Sequence, residues 1–270
     1  VAVVVLAVVF GFGVYLARRG SDGPANRPVS CTVGTMRFDS DQLANAATIT
    51  AVGIRRELPD QAIVVALAAS LQESKLHNLG HLGSSNDHDS IGLFQQRPSQ
   101  GWGTEDQLLD QRYAADAFYN ALLKVDNWDT IRVTDAAQGV QQSAYPEAYQ
   151  KWSDEAQVLA AAFTGGAPGA VSCSKPTFDG PSTAGVTAEL LRRDFGAAAP
   201  NVQADQQTLS IPAADARTGW QLAHWLVAQA DVTGITKVAY HDQEWSADNG
   251  SWTTRSSSSE VVTAQVLPAR

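Results

Sequence analysis

Apolar positions recur every three to four residues through the middle of the chain, and that spacing predicts most of its elements. From Asp41 the pattern turns helical: Leu43 to Glu57 reads as a first helix, which Pro59 stops. Asp60 is placed to cap a second helix, in which Ile63, Val64, Leu67, Ala68 and Leu71 fall on one face. That helix is expected to end near Leu76, with Glu73 and Ser74 in its last turn. Leu79 to Arg97, broken by Gly80, Gly83 and Gly92, reads as loop and hairpin. Helical patterning returns at Leu108 to Val125, Val133 to Gln142 and Pro146 to Phe163. After a stretch rich in Gly, Pro, Ser and Thr, a short helix is expected around Leu190 and Leu191. A longer one is expected over Ala213 to Ala230, with Leu222, Trp225 and Leu226 as its stripe. Ile235 to Tyr240 and Val261 to Val266 read as strands.

These shifts divide the chain into residues 1–19, a spacer at 20–37, a helical domain at 38–165, a linker at 166–184 and a small domain at 185–270. Val1 to Leu16 is almost unbroken apolar and reads as an uncleaved membrane anchor ahead of a cleaved signal or a buried helix. It opens without Met, so residues upstream are expected. Arg18 and Arg19 on its C-terminal flank argue against export of the globular part. Cys31 and Cys173 argue the other way. They bracket the helical domain, and a bridge between them would fit an oxidising exterior and could be worth about 5 kcal/mol in chain entropy. The expected location is therefore the cell membrane, single-pass, with the globular part outside the cytoplasm. A net charge of −9 speaks against nucleic acid as a partner, because phosphate binding needs a basic footprint.

The chemistry concentrates at Glu73, an ionisable residue closing a strongly apolar helix in Ala-Leu-Ala-Ala-Ser-Leu-Gln-Glu-Ser-Lys-Leu. Glycoside cleavage needs a carboxylic acid that keeps its proton near neutral pH, and an apolar helix end against a cleft is where desolvation raises a carboxyl pKa. Glu73-Ser74, followed about twenty residues later by Gly92-Leu93-Phe94-Gln95, resembles the soluble lytic transglycosylase and goose-type lysozyme superfamily. The resemblance covers roughly Asp41 to Gly165. It implies a lysozyme-like, mainly helical domain. With the small α/β domain read from the helix-then-strand order after it and the apolar segment before it, the chain is expected to be α+β with an N-terminal transmembrane segment.

The same resemblance implies cleavage of the MurNAc–GlcNAc β-1,4 bond of peptidoglycan with Glu73 as general acid/base. Ser74 and Gln95 would then line the sugar cleft, and Gly92 would let the hairpin approach substrate closely. Asp87 and Asp89 match a stretch where such lysozymes carry aspartates that position water; the alternative is that they cap turns. With a water-holding aspartate the reaction is hydrolysis, and without one the sugar's 6-hydroxyl attacks. The family's Ala-Tyr-Asn-(Ala/Ser)-Gly segment has no clean counterpart. Phe118-Tyr119-Asn120-Ala121 comes early, so Gln141 and Tyr145 are placed near the cleft instead.

Other readings compete. Trp102 could stack on a sugar or pack in the core. His77, His81 and His88, with an aspartate, suggest a zinc hydrolase. However, Gly80 intervenes and no His-Glu-x-x-His occurs, so neither metal nor cofactor is expected. The small domain concentrates Trp220, Trp225, Trp245 and Trp252 and looks like a C-terminal module of actinobacterial wall-associated proteins. The alternative to an enzyme is a non-catalytic peptidoglycan-binding module of a wall-assembly complex.

Overall fold

The computed structural model describes residues 30–81, 89–174, 178 and 183–267. The segment expected to be an anchor and the candidate Asp87 lie outside these residues. Among the described residues, no helix is long and apolar enough to cross a membrane.

The first described element is not a spacer. Strands β1 (Ser30–Val33) and β2 (Met36–Asp39) form a hairpin, and β3 (Val171–Ser174) pairs antiparallel with the other edge of β1. The register sets Cys31 opposite Cys173, and the two are joined in a disulfide with their Cα atoms 4.0 Å apart. Short strands thus occupy parts of both stretches whose composition reads as linker.

Between these strands lies a helical body: α1 (Ser40–Arg55), α2 (Asp60–Glu73), α3 (Glu105–Leu109), α4 (Gln111–Leu122), α5 (Val133–Gln141) and α6 (Ser153–Phe163). Asp39 caps α1 in a reciprocal capping box with Gln42. Asp60 is the first residue of α2 rather than its cap: Pro59 holds the cap position, and the Asp60 carboxylate pairs with Arg217 at 2.6 Å. Pro59 suits the helix start because it gives up no needed N–H there. Every residue of α2 from Ala62 to Leu71 is buried, so it runs as a central rod with α1, α4, α5 and α6 packed around it. Its even apolarity follows, since a helix covered on all sides needs no polar face. The expected helix over Pro146 to Phe163 is two pieces, a 3-10 turn at Pro146–Trp152 running into α6.

The second half is built on a six-stranded antiparallel sheet of order β4-β5-β9-β6-β7-β8. Its strands are β4 (Gln203–Asp205), β5 (Thr208–Pro212), β6 (Ile235–Tyr240), β7 (Gln243–Ser246), β8 (Ser251–Thr254) and β9 (Val261–Val266). Helices α7 (Ala184–Phe195), α8 (Ala216–Ala228) and the short α9 (Ala230–Thr233) accompany it. Helix α8 lies on the sheet so closely that a Cβ on Gly219 would fall 2.0 Å from the Tyr240 ring. Trp220, Trp225 and Trp245 are buried here, and Trp252 packs against Trp220 at 5.2 Å.

The chain is mixed helix and strand with two separate sheets, as an α+β protein should be. One hydrophobic core runs through both halves. Polar ties cross between them: buried Asp194 on α7 takes Arg112 of α4 at 2.5 Å, Thr48 of α1 at 3.1 Å and the Trp225 indole N–H at 2.8 Å. Burial pushes the Asp194 carboxyl up and Arg112 pulls it back. His224 contacts the Ala162 carbonyl through Nδ1 at 2.7 Å, and burial lowers its pKa to about 4.

Candidate active site

Glu73 is the last residue of the buried rod, and the chain turns sharply after it. Ser74, Lys75 and Leu76 close the helix, with Lys75 and Leu76 in the left-handed region at φ of 57° and 63°. A non-glycine residue held there costs about 1 kcal/mol, so the turn needs support. It comes from α1: Gln42 donates to the Lys75 carbonyl and Asn45 to the Leu76 carbonyl, each at 2.8 Å. The hairpin expected downstream is present, closed by Ile91 and Gln96 exchanging backbone hydrogen bonds at 3.0 Å. Ser70 and Ser74, one turn apart, both donate to the Leu93 carbonyl, at 3.1 and 2.8 Å. The hairpin is therefore bolted to the same helix end that presents Glu73.

Three side chains bear on the Glu73 carboxyl. The hydroxyl of Tyr149 donates to Oε1 at 2.6 Å, and Gln141, anchored by its own amide to the Phe94 carbonyl at 2.9 Å, also favours the ionised carboxylate. Lys75 acts through its charge. Burial opposes all three and wins, so the Glu73 pKa is raised above its ordinary value. The Tyr149 hydroxyl is held protonated by burial and by the neighbouring carboxylate. Lys75 lies over the Trp152 ring at 4.0 Å, and burial together with repulsion from Lys151 lowers its pKa to about 8.

Beside this group is a cavity of about 600 Å³, lined by Gln72, Ala144, Tyr145, Pro146, Glu147, Ala148 and Lys151. Glu73 is not on its wall, but Gln72 precedes it in α2, and the 3-10 turn that carries Tyr149 forms the cavity's other side. Tyr145 is 68% exposed, presenting an aromatic face to anything bound there.

Of the candidates, the structure brings Glu73 and Gln141 together and puts Tyr145 on the adjoining wall. The others serve the frame. Ser74, expected to touch substrate, is buried and its hydroxyl faces the hairpin. Gly92, expected to admit substrate closely, instead lets the hairpin pass α3: its φ is 78°, and the Leu108 carbonyl lies 2.5 Å from where a Cβ would stand. Gln95, half-buried at φ 49°, donates back to the Gly92 carbonyl at 3.0 Å. Trp102 packs partly against the core, and its carbonyl accepts from Tyr113.

Asp89 is committed elsewhere as well. It accepts from the Ser99 N–H at 2.7 Å, the Ser99 hydroxyl at 2.9 Å and Arg97 Nε at 3.0 Å, which hold its carboxyl well below the usual range. Such an acid braces a turn and is a weak base. His77 faces Asp39 at 3.8 Å, and among the described residues no three His, Cys, Asp or Glu side chains gather as metal ligands.

Tyr149 is the partner of Glu73 that the sequence pattern does not single out. Tyr119, in the segment that looks like the family's tyrosine motif, is buried with its hydroxyl on the Ile49 carbonyl at 3.0 Å. The available signal was Ala148-Tyr149, directly after the Pro146 turn start, a shorter echo of Ala-Tyr-Asn than Phe118-Tyr119-Asn120. No protein-family model matches this sequence, and no curated protein matches it.

Proposed function

We propose that the chain cleaves peptidoglycan glycan strands at the MurNAc–GlcNAc β-1,4 bond, with Glu73 as general acid and then base. The observation that carries this reading is the Glu73 carboxyl itself: desolvated, raised in pKa, oriented by the Tyr149 hydroxyl, and set beside a groove with an exposed tyrosine. A raised pKa keeps a proton available for the departing sugar oxygen.

Of the two ways of completing the reaction, the proposed one needs no second carboxylate: Asp89 is engaged with Arg97 and Ser99, and Asp87 lies outside the described residues. Glu73 gives its proton to the bridging oxygen as the C1–O bond breaks. The 6-hydroxyl of the same muramyl unit attacks C1 and its proton returns to Glu73. The product ends in a 1,6-anhydro ring and no water is consumed, the outcome of a lytic transglycosylase with a lysozyme-like domain. The disulfide supports an oxidising, extracytoplasmic site of action, and residues 1–19 supply the membrane anchor of the proposal.

Turnover of purified sacculi tests the reading. Glu73→Gln should lower release of soluble fragments by about 10²–10⁴-fold while sedimentation with sacculi persists. Undiminished release by that variant would remove Glu73 from the mechanism. Sedimentation without any release by the parent protein would make the chain a binding module.

A further inference from the structure

We propose that the groove recognises a carboxylate carried by the glycan strand, with Lys151 on its wall and Lys75 behind Trp152 supplying the positive charge. This rests on the glycan reading above and names the group on the strand that the groove holds.

Two ammonium groups share one indole: Lys75 lies 4.0 Å and Lys151 5.3 Å from the Trp152 ring centroid. The indole is fixed by its N–H donating to Gln72 Oε1 at 2.8 Å, and Gln72 is itself on the groove wall. Lys75 Nζ donates to the Leu71 carbonyl at 2.9 Å, which holds the ammonium in place without neutralising it. Among the described residues neither ammonium has a carboxylate within salt-bridge distance, in a chain of net charge −9. Glu147, the acid on the same wall, is taken up by Arg132 at 3.0 Å, which also holds Asp135 at 2.7 Å. Glu73 and Glu155 reach Lys75 only at longer range.

Lys75 is also a poor choice for the acid alone. Its charge favours the ionised form of Glu73, against the role proposed for that residue. Its backbone is left-handed, where glycine or asparagine is the usual occupant. Lys151 stands on the groove wall, and Lys75 lies against the same indole ring.

On a muramyl strand the carboxylate has two sources: the peptide stem, or the lactyl group left bare when the stem is removed. A chitin oligosaccharide has neither. The full chain carrying Glu73→Gln, which binds without turnover, is titrated calorimetrically with soluble strands of three kinds: stem-bearing, stem-stripped and chitin. Adding Lys151→Gln, or separately Lys75→Met, should weaken binding of carboxylate-bearing strands about three- to fivefold at low salt. Chitin binding should not change, and high salt should erase the difference. A loss on stem-bearing strands alone assigns the peptide carboxylate; a loss on stripped strands assigns the lactyl group. Equal weakening on all three, or no change on any, overturns the proposal. If the parent still cleaves sacculi in that case, the glycosidase reading stands. If the parent neither cleaves sacculi nor binds any of the three strands, both fall together.

Discussion

At the scale of single residues, burial is set against hydrogen bonding and charge on one carboxyl. Tyr149 and Gln141 stabilise the Glu73 anion, burial destabilises it more, and the net effect is a raised pKa. Tyr149→Phe keeps the ring in place and removes one stabiliser of the anion. The Glu73 pKa should rise further, and the alkaline limb of kcat/KM should move to higher pH; an unmoved limb would mean that Glu73 is not the titrating acid. The same imbalance bears on stability. A carboxyl whose pKa is raised on folding contributes fully when protonated, below the ordinary carboxyl range, and that contribution is lost as pH rises through the raised value. Glu73→Gln should therefore raise the Tm at pH 7 by about 2–4 °C, and the gain should shrink in acid. Thermal unfolding at both pH values checks this.

At the scale of elements, the helix end and the hairpin behave as one piece because two serines share one carbonyl. Ser70→Ala and Ser74→Ala should each cost about 0.5–1.5 kcal/mol. The double variant should cost more than their sum, since the buried Leu93 carbonyl then loses both donors. Denaturant unfolding of the three variants reads the coupling directly.

This scale also separates what the sequence made legible from what it did not. The rod was readable because its apolar run is long and ends on Glu73, and the hairpin because Gly92 interrupts it. Strands β6 and β9 were readable from their β-branched runs, and their bounds agree with expectation. Strands β1, β2 and β3 are only four residues each and lie in spacer-like composition, so no alternation could mark them. Tyr149 sits in a 3-10 turn, where no helical stripe points to the face that meets Glu73. Ser74 and Gly92 make contacts within the frame, which the motif could not foretell: it shows which residues recur together, but not whether they face a ligand or the frame.

At the scale of the whole molecule, the small sheet half does more than follow the helical half. Asp194 joins α1, α4, α7 and α8 through Thr48, Arg112 and Trp225. Asp194→Ala would leave the Arg112 cation with only Asp110, at 3.8 Å, and the Trp225 indole N–H without its acceptor, and should destabilise the chain by about 2–4 kcal/mol. Both halves should lose stability together, because they share one core; separate melting of the two, followed calorimetrically, would argue against that coupling. The disulfide closes the helical body at its other end, tying β1 to β3 across a sequence separation of 142 residues. Covalent closure there and the Asp194 junction brace the body that sets Glu73 against the 3-10 turn.

The most direct measurement is the mass of the soluble fragments that the purified chain releases from sacculi. The expected fragments end in 1,6-anhydro rings, one water lighter than their reducing counterparts, and the Glu73→Gln variant should release about 10²–10⁴-fold less of them. Reducing ends would contradict the 6-hydroxyl route. Release undiminished by the loss of Glu73 would contradict the proposed mechanism at its centre.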